Sequence, residues 1–290
     1  MSFSLNELVA EEVQKNEGKG KVTSPLCWFG GKFNLAKWII ALMPKHQCYV
    51  EPFFGAGHIF FNKPKVKVEA INDIDDRVYA LFKVLSDEDA FKEFANKIWF
   101  LGCHEKAYNE MVEKLKDKNL SMVDKAVAFL YINKLSLSGN FGNSFMGHGE
   151  ALAYSKENLL SIYKRLKGVN VYCRDWKEVV ERYDSENTLV FLDPPYVEET
   201  RSNSMGVYAN ELSDKDHEEL VDVCLSLKSK VILCGYQNKL YERLEQNGWH
   251  RLDKKVKLSC AVVKEGAEKA DRIESVWLNY KPKGAREWIV

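Results

Sequence analysis

The sequence predicts an α/β fold, an open sheet of alternating strands and helices broken by a helical insert. Three observations carry that reading. Short apolar runs of strand type around residues 66–70, 188–192 and 231–234 alternate with amphipathic helical patterns. Two strand ends carry unusual loops, Glu51-Pro52-Phe53-Phe54-Gly55-Ala56-Gly57 and Asp193-Pro194-Pro195-Tyr196. From about residue 84 to 170 the pattern turns helical and rich in Lys and Glu. The expected division is therefore a polar arm over 1–20, a sheet-bearing domain from 21–83 and 171–290, and an insert over 84–170.

Composition narrows the function. A chain of 290 residues with 46% hydrophobic content can build one large core or a core with an insertion. Its 42 basic and 42 acidic residues cancel, so no global positive field recruits a polyanion, and any nucleic-acid surface is a local patch. The seven cysteines are scattered and contain no Cys-x-x-Cys, which fits reduced thiols better than a disulfide framework or a zinc site. No apolar run approaches the ~20 residues of a membrane span, and the first 20 residues have no signal-peptide core. The expectation is a soluble, cytoplasmic protein without a metal.

Taken in order, Trp28-Phe29-Gly30-Gly31-Lys32 opens the patterned sequence, with Leu35, Trp38, Ile39 and Leu42 on one helical face and Pro44 as a stop. Its Gly-Gly pair lets backbone approach a ligand, although alone it reads equally as a plain turn. Gln47–Val50 is a short strand running into the glycine loop and a helix over His58–Asn62. Strand, glycine loop and helix form a nucleotide-type cradle. The loop is not Gly-x-Gly-x-x-Gly and carries no Gly-Lys-Ser/Thr, which favours a smaller adenosine compound over a dinucleotide or triphosphate. His58 reads as a helix-surface residue. The next strand ends at Asn72-Asp73, where an acid is placed to bind ribose hydroxyls or, with Asp75-Asp76 following, to cap a helix.

Within the insert, Phe129–Lys134 leads into a loop with Asn140, Phe141, Asn143 and four glycines between 138 and 149. It offers base-edge hydrogen-bonding groups and apolar wedges, or is an ordinary surface loop. A strand over Val169–Cys173 ends at Arg174-Asp175-Trp176. The run Thr188–Leu192 then feeds the acid turn. Two prolines leave only carbonyl acceptors beside the Asp193 carboxylate, with Tyr196 as a flat stacking surface. An amino group on a planar ring needs both, two acceptors for its N–H bonds and a face for its ring. Residues 197–212 have the polar character of a lid, Ser213 or Asp214 caps a helix, and 254–280 reads as paired strands about a turn near Gly266.

These motifs, with Arg272-Ile273-Glu274-Ser275-Val276-Trp277-Leu278-Asn279-Tyr280, stand in an order that resembles the Dam-type (D12 class) adenine-N6 DNA methyltransferases of the alpha group over most of residues 23–280. The resemblance implies a Rossmann-like, S-adenosylmethionine-dependent methyltransferase sheet with a helical target-recognition insert. It implies that Trp28, Gly31, Lys32, Phe53, Gly55, Asp73, Asp175 and Asp193 bind S-adenosylmethionine, with Asp73 on the ribose and Asp175 on the adenine. By it, Asp193 and the Pro194 carbonyl accept from the target N6 amino group, and Tyr196 stacks on the extruded base in duplex DNA. Lys134, Asn140, Phe141 and Asn143 become candidate DNA contacts. A cognate restriction endonuclease and a monomer or weak dimer are further expectations. The chain departs from GATC-methylating members at Asn133-Lys134-Leu135-Ser136, where those carry an Asn-Arg-Tyr type segment. Other readings are a catalytically weak DNA-binding protein of the same fold, or amino methylation of another base or of RNA.

Overall fold

The computed structural model describes residues 22–28, 30–136, 144–197, 212–257 and 271–282. The seven strands among these residues are β1 (Cys48–Glu51), β2 (Val68–Asn72), β3 (Asn170–Tyr172), β4 (Thr188–Leu192), β5 (Lys230–Gly235), β6 (His250–Lys257) and β7 (Asp271–Leu278). Their order in the sheet is β3-β2-β1-β4-β5-β7-β6. The α/β fold read from the alternation is the one observed. No helix among the described residues is long and apolar enough to cross a membrane.

By packing, the chain divides into two compact units, one of 1–41, 54–65 and 69–174, the other of 42–53, 66–68 and 175–290. In the first, β2 and β3 pair in parallel, with Ile71 opposite Val171. Helix Met122–Leu135 is buried on every side over its last ten residues, Ala126 to Leu135, all of them inaccessible or nearly so. Such all-round burial marks a core helix rather than a surface one. Helices Asp76–Ser86, Glu88–Trp99 and Gly149–Leu166 pack around it. Asp75, Asp87 and Ser121 each accept a backbone N–H at a helix start, which fixes where those helices begin. Residues 84–170 thus pack in the same unit as the glycine loop.

The second unit centres on β4, all five of whose residues are buried, as the apolar run from Leu189 to Leu192 requires. It pairs in parallel with β1, Val50 opposite Val190, and with β5, Val190 opposite Val231. β7 runs antiparallel to β5 and to β6, so the paired strands expected near the end of the chain are present. Their connection around Gly266 and the 198–211 segment lie outside the described residues. Tyr241 packs edge-on to Trp277 at 5.1 Å and shares a 3.0 Å hydrogen bond with the buried His217. Ser213, not Asp214, is the helix cap, in a reciprocal box with Asp216.

One buried ionic cluster anchors the first unit. Glu69 on β2 is 2% exposed and receives Arg165 in two bonds of 2.5 and 3.0 Å and Lys63 at 2.5 Å. Arg165 also donates to the Phe60 carbonyl and lies 3.7 Å over the Phe60 ring. Burial pushes the Glu69 carboxyl up, but the bonds from Arg165 and Lys63 outweigh it and hold the group below its ordinary range. Replacing Glu69 by Ala strands two buried cations, and we expect a loss of about 3–5 kcal/mol in urea unfolding. Because the folded-state pKa is depressed, this stabilisation is present above the ordinary carboxylate range and lost as pH falls through the folded value. The stability gap between wild type and Glu69→Gln should therefore narrow under acid; a gap that stays constant to about pH 3 would show that ionisation of Glu69 contributes nothing.

Candidate functional site

In the first unit the site grows from the end of β2. The Asp73 carboxylate accepts from Gly55 N–H at 2.7 Å and from Asp75 N–H at 2.9 Å. It therefore holds the glycine loop and the start of helix Asp76–Ser86 together, while Asp75 itself is the helix cap, gripped by Arg77. Of the two sequence alternatives for Asp73, the helix cap falls to Asp75, while Asp73 braces the loop. Burial pushes the Asp73 carboxyl up to about 7, against the pull of the Asp75 and Gly55 N–H groups. Phe54 N–H adds a 3.0 Å bond to the Asn72 carbonyl. The Asn72 side chain clamps the neighbouring strand end, donating to Arg174 O at 3.1 Å and accepting from Arg174 N–H at 2.9 Å.

Gly55 has φ of 48°, and a Cβ there would meet Trp28 Nε1 at 2.8 Å. The indole of Trp28 thus lies directly on the loop backbone. At Gly31 a Cβ would meet the His58 ring at 2.5 Å. The helix-surface placement expected for His58 is corrected here: the residue is partly buried against Gly31, edge-on to Phe33 at 5.9 Å. Glycine at 31 leaves the space that the imidazole occupies. Burial, then the charges of Lys32 and Lys134, lower its pKa to about 4, so it is neutral at pH 7. Lys32 is buried and donates to Gly30 O at 3.0 Å.

Lys134 is 8% exposed, with Nζ 3.7 Å from Cys27 Sγ. Its neighbour Asn133, fully buried, accepts from Cys27 N–H at 2.9 Å and donates to Cys27 O at 2.8 Å. This two-bond clamp sets the position of the segment leading to Trp28. Asn140, Phe141 and Asn143 lie outside the described residues. The base of their loop is closed by an antiparallel bridge of Ser136 with Phe145 and by Met146 N–H on Leu135 O at 2.8 Å.

In the second unit Asp193 follows the last residue of β4, with Pro194 buried and Asp193 and Tyr196 partly exposed. The Tyr196 hydroxyl donates to Glu274 Oε2 at 2.8 Å. Its ring meets Tyr236 edge-to-face, centroids 4.6 Å apart at 77°. Arg272 donates to the Tyr236 hydroxyl at 3.0 Å and lies 5.7 Å from that ring's centre. Burial, then Asp193, then Glu274 raise the Tyr196 pKa well above its ordinary value, so the phenol stays a neutral donor. Asp175 caps helix Trp176–Tyr183 by accepting from Lys177 N–H at 2.9 Å, and Trp176 packs on Phe53 at 5.8 Å.

Each unit thus carries a distinct capability. The first presents a carboxylate at a strand end beside a glycine loop on which an indole packs, suited to hydroxyls and a flat group. The second presents an acid, a proline carbonyl and a held aromatic ring. Among the described residues no cluster of three or more His, Cys, Asp or Glu could hold a metal. Sequence reasoning missed the Asn133 clamp, Tyr236 and the roles of Asn72, Arg272 and Glu274. For the last two a signal existed: residues two apart on a strand share a face.

Comparison with known proteins bears on the whole arrangement. A family model described as D12 class N6 adenine-specific DNA methyltransferase matches residues 28–258. The chain is 28% identical over 252 residues to a protein named Type II methyltransferase M.MjaIII from Methanocaldococcus jannaschii, covering 75% of this chain and 87% of that one. It is 24% identical over 271 residues to the DNA adenine methylase of Escherichia coli (strain K12), covering 89% and 95%. A similar 24% extends over 216 residues of the DNA adenine methylase of Haemophilus influenzae, covering 71% and 75%.

The packing of Trp28 on Gly55 can be checked against a second left-handed glycine. Gly248 has φ of 83° with nothing within 4 Å of a Cβ. Gly248→Ala should lose only the backbone cost of about 1–2 kcal/mol, whereas Gly55→Ala adds a collision with the indole and should lose about 1–3 kcal/mol more. Equal urea midpoints for the two variants would mean that Trp28 gives way without cost.

Proposed function

The chain belongs to the D12 class of N6 adenine-specific DNA methyltransferases, so its reaction is methyl transfer to an adenine amino group in DNA, and we propose that the donor is S-adenosylmethionine and the acceptor an adenine extruded from the duplex. The observation that carries this reading is the acid turn: Asp193, Pro194 and Tyr196 emerge together at the end of the buried strand β4, with the tyrosine ring held by Glu274 and Tyr236. Ligands of open α/β sheets sit beyond such strand ends.

The donor's adenosine fits what the first unit offers. Asp73 supplies acceptors for ribose hydroxyls, Gly55 brings backbone close, and Trp28 adds a flat apolar wall. Gly31 and Lys32, and in the second unit Phe53 and Asp175, are further donor-binding positions by the family resemblance alone. When bound, S-adenosylmethionine supplies a methyl group already activated by its sulfonium charge, so the protein's contribution is positioning and electrostatics. Asp193 and the Pro194 carbonyl would accept the two N–H bonds of the target amine. That draws electron density onto nitrogen and turns its lone pair out of the ring plane. As the new C–N bond forms at the expense of the methyl–sulfur bond, leaving a neutral thioether, the Asp193 carboxylate would stabilise the positive charge on nitrogen until one N–H proton is lost to solvent.

Extruding an adenine costs a few kcal/mol, and one aromatic stack returns about 1–3 kcal/mol. Tyr196 therefore offsets extrusion without driving it, and the remainder comes from DNA contacts. We assign these to Asn140, Phe141 and Asn143, with the buried Lys134 contributing charge at the base of their loop rather than a direct base contact. The helices of residues 84–170 serve as the recognition portion.

Two experiments test this reading. Asp193→Ala should lower transfer of radiolabelled methyl to DNA by about two orders of magnitude or more, with donor affinity far less affected; near-wild-type turnover would overturn the assignment. The second concerns pH. Ribose hydroxyls donate to an ionised carboxylate, and Asp73 ionises near 7 in the free protein. Donor affinity measured by calorimetry should rise with pH and level off above about 7, falling about tenfold at one unit below. Asp73→Asn should bind more weakly and without this slope. A flat wild-type profile would remove Asp73 from the ribose site.

A further inference from the structure

We propose that Glu274 is a positioning residue for methyl transfer: its carboxylate holds the plane of the Tyr196 ring, and with it the surface on which the target adenine stacks. The proposal rests on the reading that Tyr196 receives that base. A tyrosine ring on a strand-end turn keeps two free side-chain torsions, and either one would swing the stacking face away from a fixed amine site. In this structure both are restrained. The 2.8 Å bond from the Tyr196 hydroxyl to Glu274 Oε2 fixes the direction of the ring's long axis. The edge-to-face contact with Tyr236, at 4.6 Å and 77°, fixes rotation about that axis. Tyr236 is in turn held by Arg272 at 3.0 Å.

The two restraining charges come from one short stretch of β7. Arg272 and Glu274 are alternate residues on that strand and so share a face. The register places Ser275 opposite Gly235 at the end of β5, immediately before Tyr236. A carboxylate suits the task better than a neutral acceptor. It can only accept, so the phenol must donate, and a charge-assisted O–H···O bond is about twice as strong as a neutral one. Burial together with Asp193 and Glu274 keeps Tyr196 protonated, which preserves the donor. The ring is thereby oriented before any base arrives, which lowers the ordering cost of stacking. This accounts for the Arg272-Ile273-Glu274 segment, which has no contact role of its own in the proposed chemistry.

The test uses the full chain and a duplex bearing its own target, taken from sequencing DNA methylated by the wild type, with 2-aminopurine in place of the target adenine for fluorescence. Glu274→Ala should lower kcat about tenfold or more, the scale of one charge-assisted hydrogen bond. Donor affinity should stay within about twofold, the scatter expected when no contact to that ligand is removed. The fluorescence of bound 2-aminopurine should rise, reporting a base that is extruded but poorly stacked. Glu274→Gln keeps an acceptor oxygen and should recover most of the rate. Tyr196→Phe should match Glu274→Ala, and the double variant Tyr196→Phe/Glu274→Ala should be no worse than either single change. Wild-type kcat in Glu274→Ala, or losses that multiply in the double variant, would overturn the proposal while Tyr196→Ala remained inactive. Full activity in Tyr196→Ala would instead overturn the stacking reading, and this proposal with it.

Discussion

The buried carboxylate of Glu69 is the constraint on which the first unit's chemistry depends. Two cations cannot sit in an apolar interior unless an anion meets them with good geometry, and Glu69 meets Arg165 with both oxygens and Lys63 with Oε1. Lys63 ends the helix that the glycine loop begins, and Glu69 lies four residues before Asp73 on β2. The glycine loop and the helix that follows it are thus tied at both ends, by Asp73 on Gly55 and by Glu69 on Lys63. Arg165 extends the same tie to helix Gly149–Leu166, so a helix remote in sequence from the glycine loop helps fix its position.

The second unit solves a different problem, presenting a rigid acceptor set at the mouth of a sheet. The strand supplies the direction, because β4 is buried along its whole length and cannot shift without exposing apolar surface. The two prolines remove N–H donors and limit φ, which keeps the turn stiff. What a turn cannot do is orient a ring, and that work falls to residues from two other strands. Glu274 and Arg272 come from β7 and Tyr236 from just beyond β5, so antiparallel pairing of these strands determines the tyrosine's geometry.

Charge is used internally far more than globally. The chain has no net charge to draw in DNA, yet it buries Lys32 and Lys134 and keeps His58 neutral beside them. Burial first, and then repulsion from the two lysines, makes losing the proton the less costly outcome. Asp73 shows the opposite balance: burial outweighs its two backbone donors, leaving it poised near neutrality.

Much of the architecture is legible in the primary sequence. Strand and helix periods, the glycine loop, the acid-proline turn and the capping residues are local signals, because backbone torsions and side-chain spacing act over a few residues. The resemblance carried by the ordered motifs reaches the chemistry of the family. The pairings that make a site are not legible. Nothing near Asn133 in sequence points to Cys27, and nothing near Tyr196 points to Glu274, since those contacts span 106 and 78 residues. His58 reads as a surface residue because a helix start is usually solvated, and only the Gly31 backbone folding over it makes it otherwise. Lys134 reads as a candidate DNA contact, and only the tertiary structure shows that the helix carrying it is buried along its last ten residues. Local propensity determined which elements form; burial, charge pairing and strand register, which act between distant segments, decided what each functional side chain touches.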